Sequence, residues 1–169
     1  METEMNTKIY SFKAPWDLLL IILTIVLCLF LLGLNLLTTQ LIPTLFALLI
    51  IFGSAAFGIY GYRIEKGKLR IIRLGWSTFI NLDDIKEVKF VPNAMKGSIR
   101  IFGIGGLFAY VGNFKNRLLS NYKAYATHRR LTVVITTHKN EAFVITPDHP
   151  NEFLEVMKTV SGSKIAIST

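Results

Sequence analysis

Catalysis and metal binding draw on histidines, thiols or carboxylates at short spacing, and this chain of 169 residues holds only three His and one Cys. The plausible acid-base groups are Asp83, Asp84, Asp148 and the histidines. Asp148 stands two residues before Pro150 and reads as the cap of a helix rather than as half of a catalytic pair. His128 with Arg129 and Arg130, and His138 with Lys139, read as basic hairpin tips with no ligand set at metal spacing. The serines occupy no nucleophile-elbow context. No catalytic, cofactor-binding or metal-ligating residue is therefore expected, and the chain reads as a non-enzyme.

Binding chemistry is better represented. Gly103, Gly105, Gly106 and Gly112 alternate with Phe102, Leu107, Phe108, Tyr110 and Phe114. As a phosphate loop this stretch fails, because it lacks the Gly-Lys-Ser/Thr ending and Phe108 occupies the last glycine position of G-x-G-x-x-G. A long apolar connection needs cover. Packing on its own sheet is favoured, with contact to a bilayer surface or a partner as the alternative. Lys115 and Arg117 just beyond it suit an anionic surface. A second basic cluster, Lys66, Lys68 and Arg70, has the residue types of a head-group site but a short loop, and reads first as positive flanking charge.

The elements that must position these residues fall into two parts. Charge is absent from residues 18–62, where two apolar runs, 18–37 and 41–60, are separated only by Thr38, Thr39 and Gln40. At about 1.5 Å per residue each run is long enough for roughly 30 Å of hydrocarbon, so a transmembrane helical hairpin is expected. Ser54 and Gly58 have small-xxx-small spacing and are candidate helix-packing positions. Lys8, Lys13, Arg63, Lys66, Lys68 and Arg70 flank the hairpin, against no basic residue in its loop. That asymmetry predicts a multi-pass membrane protein with both termini cytoplasmic. Cys28 lies inside the first run and reads as a small hydrophobe.

From residue 62 the pattern changes to short alternating runs broken by turn residues. Strands are predicted at 62–66, 68–74, 76–82, 85–91, 122–127, 131–137 and 142–146, with a long irregular stretch before residue 122. Phe153, Val156, Met157 and Val160 then share one face of a helix. About seven antiparallel strands in a bent sheet or small barrel, capped by that helix, satisfy the burial requirement. The strings "YRIEKGKLRI", "INLDDIKEVKF", "LTVVIT" and "AFVITPDHPNEFLEVM" are similar to membrane-anchored bacterial proteins with a pleckstrin-homology (PH)-like domain, and "FGIGGLFAYVGNF" and "YKAYAT" look like one branch of them. The resemblance covers about residues 62–160 and implies an α+β PH-like fold.

The expected organisation is thus an N-terminal cytoplasmic segment (1–17), the hairpin (18–60), a PH-like domain (62–160) and a tail (161–169). The chain carries +8 net charge. Its 17 Lys or Arg against 8 Asp or Glu from Arg63 onward favour anionic lipid head groups over nucleic acid. The expected function is a non-catalytic binding or scaffold module at the inner membrane face, with the lipid bilayer and an unidentified protein as partners. The alternative is a subunit of a membrane transport or envelope-assembly complex that packs through its hairpin.

Overall fold

Lys66 and Gly67 both adopt positive φ, 50° and 69°, the backbone that a two-residue hairpin turn of the twisted kind demands. They join β2 (Ile59–Glu65) to β3 (Lys68–Arg73). The computed structural model describes residues 8–38, 40–162 and 165–168, with the side chains of 35–38 and 168 outside the description. β1 (Tyr10–Lys13), β2, β3 and β4 (Ser77–Asn81) form a four-stranded antiparallel sheet in that order. A short 3₁₀ turn, Leu82–Asp84, leads into β5 (Ile85–Phe90).

The second sheet contains β5, β6 (Ile99–Leu107), β7 (Ala109–Asn116), β8 (Ser120–Ala126), β9 (Val133–Thr137), β10 (Ala142–Ile145) and β11 (Ala166–Ser168). Its order is β11-β5-β9-β10-β8-β7-β6. Most pairs are antiparallel, but β10 runs parallel to β8 and β11 parallel to β5. Among the described residues three helices accompany the sheets: α1 (Leu18–Thr38), α2 (Leu41–Ala56) and α3 (Pro150–Ser161).

Alternation along each strand fills two cores. Tyr62, Ile64, Leu69 and Ile71 from the first sheet meet Val88, Ile135 and Ile145 from the second, and α3 closes the gap with Phe153, Leu154 and Met157. Residues of opposite parity on the second sheet, including Tyr110, Phe114, Tyr122 and Val144, build a smaller core beneath Ala94 and Met95. Leu20 of α1 completes that second core and is fully buried.

The strands expected from alternation are present, and four more were not anticipated. β1 comes from the N-terminal segment and β11 from the tail, while β6 and β7 occupy the stretch expected to be irregular. Asp148 is not a helix cap: its carboxylate accepts from the Lys13 amide at 3.1 Å and its own amide donates to the Lys13 carbonyl, tying β1 to the start of α3. His149 is the residue at the N-cap of α3.

The expected transmembrane hairpin is corrected by the structure. A span needs about 20 apolar residues, roughly 30 Å. α2 has 16 residues, because the chain turns at Phe57 and Gly58 into β2, so Tyr60 is a strand residue rather than a helical one. α1 starts against protein, with Leu20 and Thr24 buried on the sheet. Among the described residues no helix is long and apolar enough to cross a membrane. That finding overturns the two-span topology, and with it the multi-pass inner-membrane placement with both termini cytoplasmic.

Tyr62 joins the two sheets. Its hydroxyl donates to the Tyr125 carbonyl at 2.7 Å and accepts from the Thr146 amide at 3.1 Å. Burial pushes the phenol up to about 12, against the opposing hydrogen bonds of Thr146, so it is a neutral donor at any ordinary pH. Tyr62→Phe leaves two buried backbone groups without this partner and is expected to cost about 1–3 kcal/mol. Urea denaturation followed by tryptophan fluorescence measures the loss.

Candidate functional site

Asp17 immediately precedes α1, the place where a helix requires an acceptor for its unpaired amides. Its Oδ1 accepts from the Leu20 amide at 2.7 Å. Its Oδ2 accepts from both the amide and the Nε of Arg129, at 3.0 and 3.1 Å. The Asp17 amide donates to the Thr127 carbonyl, and the Thr127 hydroxyl donates to that of Pro15. One carboxylate thus caps the apolar helix and bolts it to the end of β8. Burial alone pushes the Asp17 carboxyl up, but the Leu20 and Arg129 hydrogen bonds outweigh it and hold the group below its usual value.

One turn further along α1, Thr24 is buried and accepts from the Phe108 amide at 3.1 Å. Helix and sheet come this close because Gly106 lacks a side chain: a Cβ there would sit 3.1 Å from Leu23 Cδ1, on backbone at φ 110°. Gly103 and Gly112 face each other across β6 and β7, and a Cβ on either would overlap the carbonyl oxygen of the opposite strand. The glycines therefore make a close-approach hairpin that carries α1. Phe108 forms its tip at φ 61° and meets Trp16 edge-on with ring centroids 6.0 Å apart.

Between the start of α1, β6 and the loops at 93–98 and 128–130 lies an open cleft of about 1050 Å³. Leu18, Leu19 and Ile22 form its apolar wall, while Lys96, Arg100 and Arg130 supply cations. His128 Nδ1 accepts from the Arg130 amide at 3.1 Å and the Leu131 amide at 3.3 Å, shaping the loop that presents the arginines. Burial is the largest influence on His128 and pulls its pKa below the ordinary value, consistent with a neutral ring accepting those bonds. Tyr110 also lines the cleft.

The sequence-predicted residues are dispersed. Tyr110, Phe114 and Leu107 are buried, whereas Phe102 is exposed on β6, the last strand of its sheet. Lys115 and Arg117 are exposed at the end of the β6–β7 hairpin away from Phe108. Lys66 sits in the β2–β3 turn and Lys68 follows it, at the opposite end of β2 from α2, so the turn does not adjoin the apolar helices. Arg70 is committed to Glu65 at 3.3 Å and to Ser77 at 2.9 Å. Ser54 lies on α2 and borders a second gap of about 470 Å³ beside Leu23, Val26 and Phe30 of α1. Gly58 falls beyond the end of α2, where a Cβ would stand 3.5 Å from that of Phe108.

Asp17 and Arg100 were not singled out from the sequence, and Arg129 was read only as part of a basic hairpin tip. An Asp directly before an apolar run is a helix-start signal, so Asp17 was legible in principle. Its partner more than a hundred residues away was not. Among the described residues no group of three or more His, Cys, Asp or Glu is arranged to hold a metal.

Two sheets wrapped around one core and closed by a C-terminal helix define a PH-like module, a class whose members are generally non-catalytic binding domains. The chain belongs to the bacterial PH domain family, whose family model matches residues 60–161. No curated protein and no solved structure matches it.

The Asp17 junction has a definite pH signature. Its folded pKa lies below the ordinary 3.8, so the charged carboxylate stabilises the fold above that value and the contribution drains away as pH falls through the lower folded pKa. Asp17→Asn keeps a cap acceptor but removes the charge. Urea denaturation between about pH 6 and pH 2 is expected to show a shallower acid-side loss of stability in the variant than in the parent chain.

Proposed function

We infer that the chain is a non-catalytic binding and scaffold module whose PH domain holds an apolar helical pair against a lipid surface, leaving the distant sheet edge to a protein partner. The observation that carries this reading is the run of large apolar side chains on α1 and α2 left exposed by the described residues, including Leu29, Phe30, Phe46 and Phe52, with Ile42 81% exposed. An apolar surface this continuous calls for a partner of matching chemistry. Hydrocarbon is such a partner, and it need not be crossed for the helices to lie on it.

The junction between helices and domain supports the same occupant. Trp16, Phe57, Tyr60 and Trp76 are partly exposed there, and Trp76 donates its indole N–H to the Ala56 carbonyl at 2.9 Å while meeting Phe57 edge-on. Amphipathic rings of this kind suit the boundary between head groups and acyl chains. The positive net charge favours anionic lipid.

Flotation with vesicles of phosphatidylglycerol and phosphatidylethanolamine tests the reading. Replacing Leu29, Phe30, Phe46 and Phe52 with serine is expected to abolish flotation, and Lys66→Gln with Lys68→Gln to leave it largely intact. Equal flotation of the serine variant and the parent chain overturns the assignment.

A second reading, a subunit of a transport or envelope-assembly complex, is favoured by the apolar gap of about 470 Å³ beside Ser54, which has room for side chains of a partner helix. Under it the chain migrates on a native gel within a larger assembly, and Ser54→Leu disperses that assembly. Unchanged migration of the variant removes Ser54 from any such interface.

A further inference from the structure

The cleft between α1 and β6 contains an uncommon arrangement. The Tyr110 side chain is only 7% exposed, and its hydroxyl is buried with no hydrogen-bond partner among the described residues. Leaving a buried hydroxyl unpaired costs about 1–3 kcal/mol, so such a group generally awaits a partner. Tyr110 lines the cleft, and burial, with the nearby Asp17 charge, pushes its phenol up to about 12, which keeps it a proton donor.

Around it the charges are asymmetric. Asp17 is the carboxylate lining the cleft, and Arg129 already neutralises it at 3.1 Å. Lys96, Arg100 and Arg130 line the same cleft, and among the described residues none of them makes an ion pair. Arg100 lies across the backbone of Gly105, where an added Cβ would stand 3.2 Å from Arg100 Cδ. The glycine thus leaves the room that the arginine occupies. The facing wall is aliphatic: Leu18 and Ile22 of α1 are substantially exposed to the cleft and to solvent.

Cations with a neutral donor on one wall and hydrocarbon on the other match a molecule that is anionic at one end and aliphatic at the other. We propose that this cleft binds one phosphate-bearing amphiphile, its head group held by Arg100, Arg130, Lys96 and the Tyr110 hydroxyl, and its chain laid along Leu18, Leu19 and Ile22. Three separate cations and a hydroxyl suit the several acceptor oxygens of a phosphate, and guanidinium groups match it with paired donors. The volume of about 1050 Å³ is ample for such a head group and the first part of a chain. The cleft is distinct from the Lys66–Lys68 turn. It deepens the lipid-surface reading by naming where a single head group is held.

The test uses the full chain in an uncharged detergent, with three probes: lysophosphatidylglycerol, lysophosphatidylcholine of the same chain length, and inorganic phosphate. Native mass spectrometry and calorimetry are expected to show one saturable site for lysophosphatidylglycerol and binding at least tenfold weaker for the other two. Arg100→Gln with Arg130→Gln is expected to weaken the anionic lysolipid at least tenfold. Tyr110→Phe is the sharper variant: it removes an unpaired buried hydroxyl, so thermal stability stays equal or rises while lysolipid affinity falls several-fold.

Equal affinity for the two lysolipids, or unchanged binding in the double arginine variant, overturns the proposal. Phosphate binding as tightly as the anionic lysolipid overturns the amphiphile in favour of a free phosphate site. Lysolipid binding that persists while vesicle flotation fails sustains the cleft and removes the surface reading alone.

Discussion

A sheet that curls around one core has a second face, and that face too must be kept from water wherever it is apolar. In this chain the inner face of the seven-stranded sheet is covered by the four-stranded sheet and α3, while the outer face carries Tyr110, Phe114, Tyr122 and Val144. The loop containing Ala94 and Met95 packs on it, and so does Leu20 of α1. Asp17 makes this possible. By capping α1 and binding Arg129 with the same carboxylate, it fixes the helix axis relative to β8, so that Leu20 enters the core and Thr24 reaches the Phe108 amide. The apolar helix is thereby part of the domain's packing at its first turns and an uncovered surface beyond them.

The glycines of β6 and β7 serve that same attachment. Gly103 and Gly112 let two strands approach where any side chain would collide with a carbonyl, and Gly106 lets Leu23 pack on bare backbone. The strand that results is bulged twice, between Arg100 and Phe102 and between Gly105 and Leu107. Bulges re-aim side chains and end regular pairing. They set Arg100 beside the mouth of the cleft while Ile99, Ile101 and Phe102 remain exposed on the terminal strand. A long exposed apolar edge is a hazard for unwanted pairing, and the helices running along the latter half of β6 shorten it.

Electrostatics divides the molecule in a way that composition hides. The cations of the β2–β3 turn stand at the end of β2 away from the helices, and Arg70 is spent on Glu65. Arg73 is buried, its guanidinium stacked on Trp76 at 4.5 Å and Tyr125 at 5.1 Å, where it bridges the sheets beside the helix junction. Among the described residues Lys96, Arg100 and Arg130 make no ion pair, and they line the cleft together with Leu18, Leu19 and Ile22.

The alternating runs from residue 62 onward and the amphipathic repeat through Phe153, Val156, Met157 and Val160 sufficed to identify the strands of the main core and the closing helix, because burial on one side imposes a period that needs no knowledge of partners; the PH-like class came from the resemblance of strings such as "AFVITPDHPNEFLEVM". The matched stretch, residues 60–161, agrees with the PH-domain part of that resemblance and says nothing of a membrane anchor. β1, β6, β7 and β11 were hidden for a physical reason. Glycine-rich or very short strands lack the alternation that signals one buried face, and β1 and β11 pair with strands distant in sequence. Apolar length alone suggested two membrane spans, whereas the turn at Phe57 and Gly58, the burial of Leu20 and the Thr24 bond depend on where the sheet stands. The sequence by itself determined which segments are apolar and which alternate. Only the tertiary structure decided that Asp17 meets Arg129, that the Tyr110 hydroxyl is buried with no partner among the described residues, and that Leu18, Leu19 and Ile22 line one cleft with Lys96, Arg100 and Arg130, since each depends on distances between residues many positions apart.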